Sequence, residues 1–317
     1  MTATTASKGS NKSTNVRTRN RALALYRAGF RVLGATAPSI ASRYAEQLFF
    51  TARRHPRPAW ELELLDRARR FYVSHEGGYL PVWSWGNGPV VLLVHGWEGR
   101  GAQLGALVGP LVEAGYRAVT FDGPGHGDAE PTRASAPDLA IAIGSVAEAV
   151  GSVHALVAHS MGALAATLAL TRNVHVQRAV FLAPATDPRV FARSFAKALE
   201  LSDDLRERMV ARIEERFDMT LDRLYAPALA SQIDVPLRVI HDREDTEVPL
   251  AGGEQLVGAW RGATLHITSG LGHRRILKDP SVITETVAFV TGHDTVRAKK
   301  ASPAPATHEL EALGLRA

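Results

Sequence analysis

Between residues 70 and 292 the chain alternates short, continuous apolar runs with longer stretches of helical spacing. Runs near 90–95, 117–122, 153–158, 178–183, 237–242 and 263–268 are about five or six residues long and rich in Val, Leu, Ile and Phe. Runs of that length and composition predict strands buried on both faces, as in a parallel sheet. Helix-spaced segments intervene near 102–114, 136–150 and 161–172, and a last one lies near 280–291. The alternation predicts an α/β protein with a mostly parallel, doubly wound sheet covered by helices on both faces. Residues 71–75 and 80–85, around Gly77-Gly78, predict an antiparallel hairpin that opens the sheet.

Residues 184–236 break the rhythm, because they separate two strands that one short helix would have joined. The segment is charged and carries apolar residues at helical spacing: Phe191, Phe195 and Leu199, then Leu205, Met209, Ile213 and Phe217. It predicts a helical cap inserted into the core 70–183 and 237–292. Most of its apolar residues are expected to pack the cap, with Phe191 and Phe195 as candidates for lining a substrate pocket. Residues 21–69 predict a helical extension ahead of the core. Leu23, Tyr26, Phe30 and Leu33 share one face of a first helix, opposite Arg21, Arg27 and Arg31. After Pro38 a second helix is expected from Ser39 to about Arg54. Residues 1–20, rich in Ser, Thr, Asn and Lys, predict a disordered basic tail, and 293–317 a flexible one. No internal repeat is present.

At 317 residues and 45% hydrophobic content the chain can bury one large core. It has no cysteine, which excludes disulfides and thiol chemistry. No run approaches the roughly 20 apolar residues of a membrane span. The formal charge of +5 is unevenly placed: residues 1–45 hold eight Lys or Arg and no Asp or Glu, so the rest is net acidic. Such basic amphipathic helices either pack their apolar faces on the body or lie on an anionic membrane surface. A cytoplasmic location is expected, with membrane association as the alternative. The acid-free, Ser- and Arg-rich start also resembles an organellar transit peptide. Nucleic-acid binding is not expected, because the basic residues come without a binding fold or interleaved stacking aromatics.

Candidate chemistry begins where the run 153–159 stops at Ser160, held between Ala158 and Gly162. A strand ending in a sharp turn strains the residue at its tip, so the positions two before and two after must be small. A serine at such a tip needs a base to take its proton and an acid to orient that base. Downstream, the strand run 237–242 leads into a loop with Asp242, Glu244, Asp245 and Glu247. The run 263–268 leads into Gly272-His273. All three loops follow the C-terminal ends of predicted strands, where parallel α/β sheets place their ligands.

Together with His95-Gly96-Trp97 after the run 90–94, and residues 122–127 (Asp-Gly-Pro-Gly-His-Gly), these motifs make the chain resemble α/β-hydrolase-fold enzymes over residues 70–292. The elbow Gly-x-Ser-x-Gly is met with alanine in place of its first glycine. The resemblance implies Ser160 as nucleophile, His273 as general base and acid, and Asp245, three residues before Val248-Pro249, as the orienting carboxylate. Asp242 stands as a rival acid. The backbone N–H groups of Trp97 and Met161 would form the oxyanion hole. His95 and His126 are expected to make structural hydrogen bonds in glycine-rich turns. His95 and His159 are also candidates for lining the substrate site. No metal or cofactor is implied, since no His/Cys ligand spacing, dinucleotide fingerprint or phosphate-loop lysine is present. The implied activity is a metal-free serine hydrolase acting on a small acyl ester. Amide, thioester or carbon–carbon bond cleavage on the same scaffold, or a non-catalytic ligand-binding role, are the alternatives. The oligomeric state is left open.

Overall fold

The computed structural model describes residues 10–76, 78–130 and 133–293. One eight-stranded sheet runs in the order β1-β2-β4-β3-β5-β6-β7-β8. Its strands are β1 (Arg69–His75), β2 (Gly78–Trp85), β3 (Val90–Val94), β4 (Arg117–Phe121), β5 (Val153–His159), β6 (Arg178–Leu182), β7 (Leu237–Asp242) and β8 (Thr264–Thr268). β1 and β2 form the predicted antiparallel hairpin, and β2 joins β4 antiparallel; every other pairing is parallel. The predicted strands lie within two residues of those observed, because continuous apolar runs have only the sheet interior to fill. All five residues of β3 are buried. The turn residue Gly77 lies outside the described residues.

The strand order reverses around β3. The chain goes from β3 to β4 on one side, then crosses to β5 on the other. Loops leaving the C-terminal ends of β3 and β5 therefore part in opposite directions, which opens a crevice between neighbouring strands. Val94 pairs with Ala158 at the end of this ladder, so His95-Gly96 and Ser160 start from the same level of the sheet.

Body helices are α3 (Ala59–Asp66), α4 (Val108–Glu113, continuing a 3-10 segment at Gly101–Leu107), α5 (Ala136–Val150), α6 (Met161–Leu170), α9 (Ala226–Ala230), α10 (Leu250–Ala259), α11 (Gly272–Arg275) and α12 (Pro280–Thr291). α6 is buried at every position from Gly162 to Ala169, as its uniformly apolar sequence requires. α5 and α12 begin on side-chain caps from Ser135 and Asp279. α3, α10 and α11 have no counterpart among the sequence expectations. α10 carries Gly252-Gly253, a pair that argues against a helix on propensity alone. Tertiary packing explains Gly253, since a Cβ there would come within 2.7 Å of His241 Nδ1.

The described residues divide into two compact units: a helical unit of residues up to Phe50 with 189–221, and the body. The helical unit holds α1 (Ser10–Thr36), α2 (Pro38–Phe49), α7 (Pro188–Leu199) and α8 (Asp203–Phe217). α2 buries Ala41, Ser42, Ala45 and Glu46, a face small enough for close approach to α8 and its Leu205, Met209 and Ile213 stripe. Rings interlock around this seam: Phe49 meets Phe195 edge-on at 5.3 Å, and Phe50 meets Phe217 at 5.6 Å. Buried Glu46 pairs with Arg212 at 3.3 Å, and Glu200 takes Arg27 at 3.0 Å and Arg31 at 3.4 Å.

Three expectations change here. Within the helical unit the inward faces of the N-terminal helices, for which packing on the body was one of two expectations, meet the cap helices, whose own apolar stripes need the same cover. And α1 begins at Ser10 rather than Arg21, so the described part of 1–20 is helical backbone; residues 1–9 and 294–317 lie outside the described residues. The cap segment that leaves the body is also shorter than 184–236, since 184–188 and 222–236 cluster with the body.

The body likewise begins earlier than residue 70, at Thr51. Its first segment is held by buried charge. Arg57 lies against Asp122 and, at 3.2 Å, Asp128, while Glu61 on α3 accepts from Arg100 at 2.8 Å. Arg57 also stacks 5.3 Å from the Trp83 ring. Removing one partner of a buried pair leaves the other charge desolvated, which costs about 3–5 kcal/mol. Glu61→Ala should therefore lower the body's unfolding free energy in urea by that order, whereas Arg274→Ala, which removes the exposed pair with Glu247, should change it by under about 1 kcal/mol. Equal midpoints for the two variants would contradict this reading of the network.

Candidate active site

Ser160 sits between β5 and α6 with φ 54° and ψ −124°, a backbone that L-residues adopt only when their surroundings impose it. The surroundings are close-packed backbone. The Ser160 N–H donates to Leu182 O at 3.0 Å, and its carbonyl accepts from Ala163 N at 2.9 Å and Ala185 N at 3.1 Å. A Cβ on Gly162 would lie 2.5 Å from His95 O, and one on Gly96 would lie 2.8 Å from the Ser160 Cβ. Both glycines are thus demanded by proximity. Ala158, in place of the first elbow glycine, is fully buried in β5 and its methyl is absorbed by the strand.

Three predicted side chains come together at this tip. Ser160 Oγ lies 3.0 Å from His273 Nε2, and His273 Nδ1 lies 2.7 Å from Asp245 Oδ2. The other carboxylate oxygen of Asp245 accepts the N–H groups of Glu247 at 2.8 Å and Val248 at 2.9 Å. Burial alone would push the Asp245 carboxyl up; hydrogen bonds from His241, His273 and the Val248 N–H outweigh it and hold the group well below the usual carboxylate range. His241, at the end of β7, donates from Nε2 to Val248 O at 3.0 Å and stands 3.5 Å from Asp245 Oδ2. Its only sequence signal is its place four residues before Asp245.

The rival acid has a different task. Asp242 accepts from Thr268 Oγ1 at 2.8 Å, Leu271 N at 3.0 Å and Glu244 N at 3.0 Å. It ties the loop after β7 to the loop after β8, so Asp245 and His273 leave from connected backbones. Despite its burial, this set of donors lowers the Asp242 pKa.

On the β3 side, the loop His95-Gly96-Trp97 is fixed from both ends. His95 donates from Nδ1 to Gly96 O at 2.8 Å and accepts Gly123 N at Nε2, 2.9 Å away. Gly96 O also receives Gly99 N at 3.0 Å. The carbonyl and N–H of the Gly96–Trp97 peptide point opposite ways, so these bonds aim the Trp97 N–H away from them. Glu98 is held at the outer side by Arg53, with N–O distances of 2.8 and 3.3 Å. The Met161 N–H opens α6 at the partially positive end of that helix.

The lining expectation changes for His95 and His159. Both nitrogens of His95 are spent on backbone, so none remains for a ligand, and the structural role is the one its geometry fits. His159 donates from Nε2 to His273 O at 3.0 Å and packs its ring 4.6 Å from that of His273, so it props the backbone of His273. Phe195 meets Phe49 within the helical unit, and Phe191 is half-buried on α7.

Burial keeps three histidines neutral: His95 is lowered to about 4, His126 to about 3 and His159 to about 3. Unfolded, each binds a proton near pH 6.5, so below that pH the unfolded state holds more protons and stability falls with pH. Each histidine contributes up to about 1.4 kcal/mol per pH unit between roughly pH 6 and 4. Urea midpoints at pH 7, 6 and 5 should decline accordingly, and His126→Gln should flatten the slope of stability by up to about 1.4 kcal/mol per pH unit.

Residues 87–220 match the family model described as serine aminopeptidase, S33, a span that includes Ser160 but neither Asp245 nor His273. No curated protein matches the sequence. Among solved structures, a membrane phospholipase A described as a bacterial virulence factor is 16% identical, covering 89% of this chain and all of its own, with a TM-score of 0.57. The carboxylesterase CesB of Bacillus subtilis is 19% identical over 80% of this chain and 99% of its own, TM-score 0.55. A thioesterase domain from the curacin biosynthetic pathway is 19% identical over 70% and 98%, TM-score 0.52. This chain is an α/β-hydrolase-fold protein.

Proposed function

We propose that the protein is a metal-free serine hydrolase that cleaves carboxylic esters through an acyl-enzyme on Ser160. The observation that carries this is the continuous chain Ser160 Oγ–His273–Asp245 at 3.0 and 2.7 Å, its members arriving from three loops at one sheet edge. His273 Nε2 takes the Ser160 proton as Oγ attacks the ester carbonyl. The oxyanion forms against the N–H groups of Trp97 and Met161, each worth a few kcal/mol of barrier. His273 returns the proton to the departing alcohol, leaving the serine acylated. Water then gives a proton to the same imidazole, attacks the acyl carbon, and the carboxylic acid leaves as Ser160 recovers its hydrogen. Asp245, kept ionised by its donors, holds the imidazole with Nδ1 protonated and stabilises it when charged.

Relatives in fold that are described as a phospholipase, a carboxylesterase and a thioesterase domain all fit acyl transfer. The serine aminopeptidase family model supports a second reading, amide cleavage at the same serine. The two use one triad and differ in leaving group.

The test is a panel of short- and medium-chain esters beside amino-acid amides, with a fluorophosphonate as covalent probe. The wild type should turn over esters and take the label on Ser160. Ser160→Ala should lose both, and Asp245→Asn should lower kcat by about three to four orders of magnitude with the fold intact. An unlabelled wild type, or undiminished turnover in Ser160→Ala, would overturn the proposal. Turnover of amides alone would favour the second reading.

A further inference from the structure

α1 is apolar on two faces, and its own unit covers only one. Leu23, Phe30 and Leu33 turn inward, with Phe30 buried and its ring 5.8 Å from that of Tyr44 on α2. On the outer side Ala24, Leu25, Ala28, Val32 and Ala35 are exposed, Leu25 at 75% and Val32 at 62%. A helix with one packed face normally turns polar side chains to water on the other. Here the outer face has only cations among its charges, Arg21 and Arg31, the latter shared with Glu200. α2 extends the same character, with Ile40 63% exposed, Tyr44 41% exposed and Arg43 exposed between them. Leu25, Tyr26, Gly29 and Tyr44 flank an apolar groove of about 370 Å³ between the two helices.

Charge decides what fits this surface. The first 45 residues contain eight Lys or Arg and no acid, and the first acidic residue, Glu46, is buried and paired with Arg212. An apolar strip with a cationic border and tyrosines at its rim complements an anionic lipid surface: aliphatic side chains enter the acyl boundary while arginines meet headgroup phosphates. We infer that α1 and α2 form an interfacial anchor by which the protein lies on an anionic membrane. No described helix is long and apolar enough to cross one, so the contact is peripheral. The inference stands on the helical unit alone and does not depend on the chemistry at Ser160.

The full chain should co-sediment with vesicles of phosphatidylcholine containing phosphatidylglycerol, and far less with phosphatidylcholine alone. Added salt should weaken the binding, since surface electrostatics draw the arginines in. The double variant Leu25→Glu/Val32→Glu changes only exposed positions. It should keep its far-UV circular dichroism and turnover of a water-soluble substrate, while partitioning falls by roughly tenfold or more. Three results would overturn the inference. One is wild type that stays in the supernatant with anionic vesicles. Another is a double variant that partitions like wild type. The third is a light-scattering mass showing a dimer that the double variant dissociates, which would assign the apolar face to a second copy of the chain.

Discussion

Backbone crowding at the junction of β3, β5 and α6 is the constraint on which the rest of the site depends. Ser160 keeps φ 54° because its N–H and carbonyl are bonded to Leu182, Ala163 and Ala185, while Gly96 and Gly162 let neighbouring backbone close in. The strained residue is over-determined by its surroundings, which is the condition under which such backbone persists. One consequence is geometric: Oγ is carried on a turn too sharp for the strand or the helix alone. Another is electrostatic, since the same turn starts α6 and sets its N-terminal N–H groups beside the hydroxyl.

Around that junction, buried polar side chains act as braces between loops. Asp242 ties the acid loop to the histidine loop, His95 ties the β3 loop to the segment after β4, and His159 props the backbone of His273. A carboxylate suits the first position because three N–H or O–H donors converge on it. Neutral imidazole suits the other two because each must donate to a carbonyl inside a buried site, and burial keeps the ring uncharged. The buried residues beside the candidate nucleophile thus serve to hold geometry, while His273 faces Oγ.

The helical unit follows a different logic. Its seam is made by small residues on α2 and the aliphatic stripe of α8, with a ring cluster of Phe49, Phe50, Phe195 and Phe217 closing one end. Segments separated by some 150 residues of sequence complete one another's apolar faces, so neither the N-terminal extension nor the inserted cap is a module by itself. The outward face of α1 remains apolar after this seam is satisfied, which is what distinguishes it from an ordinary surface helix.

Local pattern was enough to define the sheet, the body helices α5, α6 and α12, and the turn at Ser160, because buried strands write themselves as continuous apolar runs and such a turn needs small residues at fixed spacing. Periodicity also revealed α7 and α8 as helical segments. What the sequence left undecided was every question of which surface meets which. Asp242 and Asp245 are both carboxylates after one strand, and only the fold turns one toward backbone donors and the other toward His273. α10 was hidden by Gly252-Gly253, whose value lies in the approach of His241, a contact between elements with no local signature. The partnership of α2 with α8 was equally invisible, since an amphipathic stripe states that a face will be buried but not against what. Pairwise packing between distant segments is a property of three dimensions, and it is there that the histidine braces, the loop-tying carboxylate and the unfilled face of α1 were decided.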